Sequence, residues 1–165
     1  MYLKIMLISF LLSLFCLNSN AQEVHFVEIG INGLHCSACT YSVEKSLRKL
    51  DFVGVVQMDL NERLGKVYFK ENTTADYNSL AKAVFDSGFS VRSFDVVFRE
   101  KVEMNEGCVG DNFCVISKEI EGQDRVRILG KTFQEKKAFK NSADLLLKTC
   151  ADCPDSPQKF KVILI

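Results

Sequence analysis

The chain has 165 residues, with 21 basic and 21 acidic side chains, a formal net charge of zero, seven cysteines and no tryptophan. That balance lacks the basic excess a nucleic-acid partner leaves as its footprint, so nucleic-acid binding is set aside. The length admits one medium domain or two small ones.

Met1-Tyr2-Leu3-Lys4 is a short basic start, Ile5 to Leu17 an apolar run, and Asn18-Ser19-Asn20-Ala21 a break rich in small and polar residues. The run is short for crossing a bilayer, and Ser19 and Ala21 suit a secretory cleavage site before Gln22. Residues 1–21 are therefore expected to be a removed signal peptide, which places the mature protein in the periplasm or outside the cell. The alternatives are an uncleaved anchor and a lipoprotein at Cys16, the latter opposed by bulky Leu14 and Phe15 where small residues belong. Removing 21 of 165 residues leaves 144, with six of the seven cysteines. An even number in an exported chain makes disulfides the first explanation for any pair that metal does not claim.

Val27, Ile29 and Ile31 alternate with Glu28, Gly30 and Asn32, the period-2 pattern of a half-buried strand. Cys39, Val43, Leu47 and Leu50 recur at spacings of four, four and three, which predicts a helix with one buried face. Between them lies Gly33-Leu34-His35-Cys36-Ser37-Ala38-Cys39-Thr40, so Cys36 and Cys39 open the helix. The first N–H groups there have no intrahelical partner and carry partial positive charge, which favours thiolate, the metal-binding form. Cu(I) accepts two or three thiolates, whereas structural Zn(II) takes four ligands in a tetrahedron. A lone pair of cysteines two residues apart therefore suits Cu(I), or another thiophilic ion such as Hg(II), better than zinc. Ser37 and Thr40 stand within reach of the first helical N–H groups and are expected to cap them. His35 is a candidate third ligand, although a residue adjacent to Cys36 on a loop is expected to point elsewhere. His25 is assigned packing or surface.

Val55 to Leu60 and Lys66 to Phe69 read as two strands joined by a turn in Asn61–Gly65. A second helix is expected from Thr74 or Asp76, either of which can cap it, to Gly88, a helix terminator. Leu80, Ala83 and Val84 form its buried face, opposite Val43 and Leu47. From residue 22 to about 94 the order is strand, helix, strand, strand, helix, strand, a ferredoxin-like βαββαβ sandwich.

The loop Gly33-Leu34-His35-Cys36-Ser37-Ala38-Cys39 with its flanks resembles the G-M-x-C-x-x-C loop of heavy-metal-associated domains. These are found in copper chaperones, metal-pumping P-type ATPases and periplasmic mercury-binding proteins. Val55–Leu60, Lys66–Phe69, Leu80–Val84 and Ser87-Gly88-Phe89 resemble the family's second strand, third strand, second helix and final turn, so the likeness spans about residues 24–94. It implies that Cys36 and Cys39 bind a soft metal. Leu34 departs from the family's buried Met, filling similar apolar volume without sulfur. Phe89 stands where the family carries an aromatic or a lysine near the loop, and phenylalanine resembles the ATPase and periplasmic forms more than cytosolic copper chaperones.

Beyond the likeness, Phe94, Val96, Phe98, Val102 and Met104 alternate with Asp95, Val97, Arg99, Lys101 and Glu103, Glu100 being the one exception, as one long two-faced strand, which either extends the first sheet or begins a second. Glu106 to Asn112 reads as a loop, Phe113 to Ile120 as a strand, and Val126 to Leu129 as another. Phe139, Ala143, Leu146 and Cys150 mark a helix from about Glu135, and Phe160 to Ile165 a closing strand. The expected organisation is a signal peptide at 1–21, a heavy-metal-associated domain at 22–94 and a small α+β domain of no recognised family at 95–165. Cys108, Cys114, Cys150 and Cys153 are expected to form disulfides, the local pairing being Cys108 with Cys114 and Cys150 with Cys153, with crossed pairings left open. A second metal site is disfavoured because Cys150 and Cys153 follow a helix instead of opening one.

The leading expectation is an exported protein, not an enzyme, that captures Cu(I), or Hg(II), and hands it to a metal-transporting membrane protein or another carrier. Its rival is a thiol–disulfide oxidoreductase using Cys36 and Cys39. Thioredoxin-like enzymes carry a Trp before the motif and a cis-Pro facing it; this chain has no Trp, and its two prolines are Pro154 and Pro157. A third reading makes the first domain a metal sensor for the second, where no catalytic constellation is evident and no His follows His35.

Overall fold

A computed structural model describes residues 23–102, 107–109, 112–118, 124–146 and 160–165. The expected signal peptide, Cys16, Met104, Cys150, Cys153 and both prolines lie outside the described residues. Strand β1 (Val24–Asn32) leads into helix α1 (Ser37–Leu47), strands β2 (Val53–Asp59) and β3 (Leu64–Phe69), helix α2 (Tyr77–Asp86) and strand β4 (Ser90–Phe98). This is the βαββαβ order predicted from the sequence. Strands β5 (Cys108–Val109), β6 (Phe113–Lys118) and β7 (Arg125–Ile128), helices α3 (Lys136–Asn141) and α4 (Ala143–Leu146), and strand β8 (Phe160–Leu164) follow.

Local chemistry fixes the first six elements. The alternation in β1 buries Val27, Ile29 and Ile31 completely, and α1 sets Val43 and Leu47 against them. The β2–β3 turn is held by Asp59 Oδ1, which accepts from the amides of Asn61 at 2.9 Å and Glu62 at 3.0 Å. Asp76 caps α2, its Oδ1 accepting from the amides of Asn78 at 3.0 Å and Ser79 at 3.2 Å. The helix stops where Gly88 turns to φ +91°, a conformation that costs glycine nothing. Leu80, Ala83 and Val84 are buried as expected, joined by Tyr77 and Ala81.

The strand expected from Phe94 begins earlier, at Ser90, and crosses the position where the chain was expected to divide. It extends the first sheet. The eight strands among the described residues form one sheet in the order β2-β3-β1-β4-β7-β8-β6-β5. Only β6 and β8 run parallel; the other neighbours are antiparallel. The segment from Glu106 to Asn112, expected as a loop, contributes β5, whose two residues pair with β6.

Side chains alternate between the two faces of this sheet. On one face Val126, Ile128, Phe113, Val162 and Leu164 join the hydrophobic cluster that holds Ile29, Leu47 and Leu80. Aromatic rings stitch the halves together: Tyr77 of α2 meets Phe94 of β4 at 6.1 Å, Phe113 of β6 at 5.6 Å and Phe160 of β8 at 5.4 Å between ring centroids. On the other face Cys114, Ile116 and Leu129 form a smaller cluster with Leu145, Leu146 and Ile163. Hence the C-terminal strands widen the first sheet and share its core.

Candidate metal centre

Four residues separate helix α1 from the end of β1, and that loop with the helix's first turn carries both cysteines. Ile31 N–H donates to the carbonyl of Arg63 at 2.9 Å, which holds the end of β1 against the β2–β3 turn. Gly33 then takes φ +90°. A Cβ there would also lie 3.4 Å from Cδ1 of Phe89, so the aromatic ring at the start of β4 packs directly under the loop. Leu34 follows, 1% exposed, and plugs the loop into the core. Apolar volume suffices for that anchor; the sulfur of the family's usual Met is not needed.

Cys36 is exposed and Cys39 half-buried against the main core. Their sulfurs are joined in a disulfide with Cα atoms 5.1 Å apart, so the two side chains converge on one point. Cys36 is itself the N-cap of α1: its backbone is extended, its carbonyl accepts from the amides of Cys39 at 3.0 Å and Thr40 at 3.1 Å, and its Sγ accepts from Cys39 N–H at 3.1 Å. The capping role expected of Ser37 and Thr40 thus falls to a sulfur, while Thr40 Oγ1 donates to the Ser37 carbonyl at 2.8 Å. In the reduced protein the same amide and the helix N-terminus favour a thiolate at this position.

His35 is exposed, and no group of three or more His, Cys, Asp or Glu side chains able to hold a metal occurs among the described residues. The described residues bring two sulfurs together here. His25 is also exposed, its ring edge-on to Phe26 at 5.1 Å and Tyr68 at 5.9 Å at the far end of β1, in the surface role expected.

Cys108 and Cys114 stand opposite each other on β5 and β6, 4% and 1% exposed, and each takes part in a disulfide; the pairing expected among Cys108, Cys114, Cys150 and Cys153 falls in part on residues outside the described ones. Sequence reading missed one feature of the loop's support. Arg92 on β4 accepts from Glu135 N–H through its carbonyl at 3.2 Å and donates through its guanidinium to the Glu62 carbonyl at 3.1 Å. It ties the C-terminal half and the β2–β3 turn to one strand. Only the alternation of β4 hinted at it, placing Arg92 beside buried Val91.

Residues 28–90 match the family model described as the heavy-metal-associated domain. The mercuric transport protein periplasmic component of Shigella flexneri is 33% identical over 63 residues, which are 38% of this chain and 68% of that protein. Oxidised MerP from Ralstonia metallidurans aligns at 31% identity and a TM-score of 0.37, covering 41% of this chain and 96% of that one. The yeast copper transporter domain CCC2A aligns at 28% identity and a TM-score of 0.36, covering 41% of this chain and 90% of that one. The chain belongs to the heavy-metal-associated domain family, represented here by the strand–helix–strand units around Cys36 and Cys39.

Proposed function

We propose that this protein is an exported carrier, not an enzyme, which captures a soft metal ion between Cys36 and Cys39. It then passes the ion to a metal-transporting membrane protein or another carrier. The reading rests on one observation: two sulfurs converge at a helix N-terminus, with the Cys36 residue exposed and no third protein ligand gathered among the described residues. Two thiolates satisfy Cu(I), the first candidate, or Hg(II), the second, and leave coordination positions open. An incoming thiolate from a partner can therefore bind before either original ligand departs, so the ion is never free. Export is supported by the apolar N-terminal run, by disulfide-bonded Cys108 and Cys114, and by a relative whose name places it in the periplasm.

Anaerobic titration of the reduced protein tests this: one equivalent of Cu(I) is expected to bind, and Cys36→Ser with Cys39→Ser to abolish it. Binding that survives the double substitution moves the site elsewhere. A redox reading draws on the Cys36–Cys39 bond. Insulin reduction lost on Cys36→Ser would favour the oxidoreductase, and its absence in the wild type the carrier.

A further inference from the structure

We propose that Arg92 is a positioning residue for the metal pair: its guanidinium straps the end of β1 to the β2–β3 turn across the bare backbone of Gly30, and this strap slows release of the bound ion. The proposal rests on the reading of Cys36 and Cys39 as metal ligands.

Arg92 belongs to β4, and β1 lies between β4 and β3 in the sheet. To reach the Glu62 carbonyl, 3.1 Å from its terminal amine, the side chain must cross β1. It crosses at Gly30, which stands between Ser93 of β4 and Leu64 of β3 in the register. A Cβ on Gly30 would lie 3.1 Å from Arg92 Nε and 3.4 Å from its terminal amine, so the guanidinium occupies the space a side chain would take. A glycine inside a strand often marks such a close approach. The Arg92 carbonyl accepts from Glu135 N–H at 3.2 Å, which fixes the base of the strap.

The far end of the strap bears on the loop. The Glu62 carbonyl belongs to the peptide that precedes Arg63, and Arg63 takes φ +55°, a left-handed conformation uncommon for a residue with a Cβ. Such a residue keeps its conformation only when its surroundings hold it. Asp59 Oδ1 holds the Glu62 amide at 3.0 Å, and Arg92 holds the Glu62 carbonyl. The Arg63 carbonyl, so placed, accepts from Ile31 N–H at 2.9 Å. Ile31 is the last fully buried residue of β1 before Gly33 turns the chain toward Cys36. The Arg92 bond therefore limits how far the near end of the loop moves. A metal ion leaves when one sulfur swings away from the other, and a loop fixed at both ends makes that swing rarer, so pre-organisation acts on the dissociation rate.

The test uses the full reduced chain with Arg92→Ala, Arg92→Lys and Gly30→Ala, the last made in a Ser93→Ala background because a Gly30 Cβ would lie 2.4 Å from Ser93 Oγ. Amide exchange is read without metal. Arg92→Ala is expected to speed exchange at Ile31 roughly fivefold, the effect of one lost hydrogen bond, with Val67 and Val96 unchanged, and Arg92→Lys to keep most of the protection. Release of Cu(I) to bicinchoninate should quicken by a similar factor at unchanged stoichiometry. Gly30→Ala should reproduce both effects and add nothing when Arg92→Ala is placed in the same background, because no guanidinium is then left to displace. Ile31 exchange at the wild-type rate, exchange that rises equally at Val67 and Val96, or full additivity of Gly30→Ala and Arg92→Ala overturns the strap. Faster Ile31 exchange with unaltered Cu(I) release overturns the positioning role. A wild-type chain that binds no Cu(I) overturns the carrier reading, and the positioning role with it, while the exchange results stand by themselves.

Discussion

Asp95 of β4 and Arg127 of β7 face each other across the join between the two halves, Arg127 Nε 2.6 Å from Oδ1 and its terminal amine 2.8 Å from Oδ2 of the carboxylate. They are register partners in a row that continues through Glu28 of β1 to Lys66 of β3. Glu28 and Asp95 are like charges side by side, and the C-terminal half supplies Arg127 to one and Arg125, 3.8 Å away, to the other. Asp95 is only 4% exposed. Arg127→Ala is therefore expected to cost about 2–4 kcal/mol in urea unfolding, because it strands a buried charge. Asp95→Leu combined with Arg127→Met should recover most of that loss; an additive double mutant would refute the pairing as its cause.

The shared core predicts joint unfolding of the metal loop and the C-terminal strands. Phe113 of β6 meets Tyr77, Phe98 and Phe160 within about 6 Å. Phe113→Ala is expected to destabilise the whole chain by about 3–5 kcal/mol. Reactivity of reduced Cys36 and far-UV circular dichroism should then lose their native values at the same urea concentration, as two-state unfolding requires. Two separated transitions would show that the halves fold independently.

Leu34 predicts the tolerance of the loop. Because it is 1% exposed, Leu34→Ala should cost about 2–5 kcal/mol and raise the Cu(I) dissociation rate by loosening the turn ahead of Cys36. Leu34→Met, which restores the family's usual residue at similar volume, should cost less than about 1.5 kcal/mol. Thermal melts and metal-transfer kinetics on the two variants check this. A Leu34→Met protein that binds metal markedly tighter would show that sulfur matters here beyond packing.

The first half was legible because its signals are local. The alternation of Val27, Ile29 and Ile31, the spacing of Val43 and Leu47, the cap at Asp76 and the stop at Gly88 each depend on neighbours within a few residues. The loop was legible for the same reason, since Gly33, Leu34, Cys36 and Cys39 are contiguous. What the sequence left open is long-range. Phe94, Val96 and Phe98 read correctly as one buried face, but alternation does not say which strand lies alongside. The partner of Asp95 is 32 residues away, and nothing near it in the chain announces an arginine. Strand β5 was missed because two residues are too few for a period, and its pairing with β6 is set by the sheet rather than by propensity.

Tyr77 makes an alkaline prediction. It is 6% exposed in a ring of phenylalanines, and burial disfavours the phenolate, raising its pKa far above the ordinary value of 10.0. The unfolded chain lets Tyr77 ionise near its ordinary value, whereas the folded chain keeps it protonated. Above about pH 10 the folded state therefore binds more protons than the unfolded one, and stability falls as pH rises by up to about 1.4 kcal/mol per unit. Below about pH 10 both states are neutral at this position and the contribution is fully present. Tyr77→Phe keeps the ring and removes the proton. Melting temperatures of wild type and variant should run parallel up to about pH 9 and diverge by about pH 11, with the wild type falling faster. Parallel curves across the whole range would show that Tyr77 ionises equally well in the folded chain, and that its ring is not sealed by Phe94, Phe113 and Phe160.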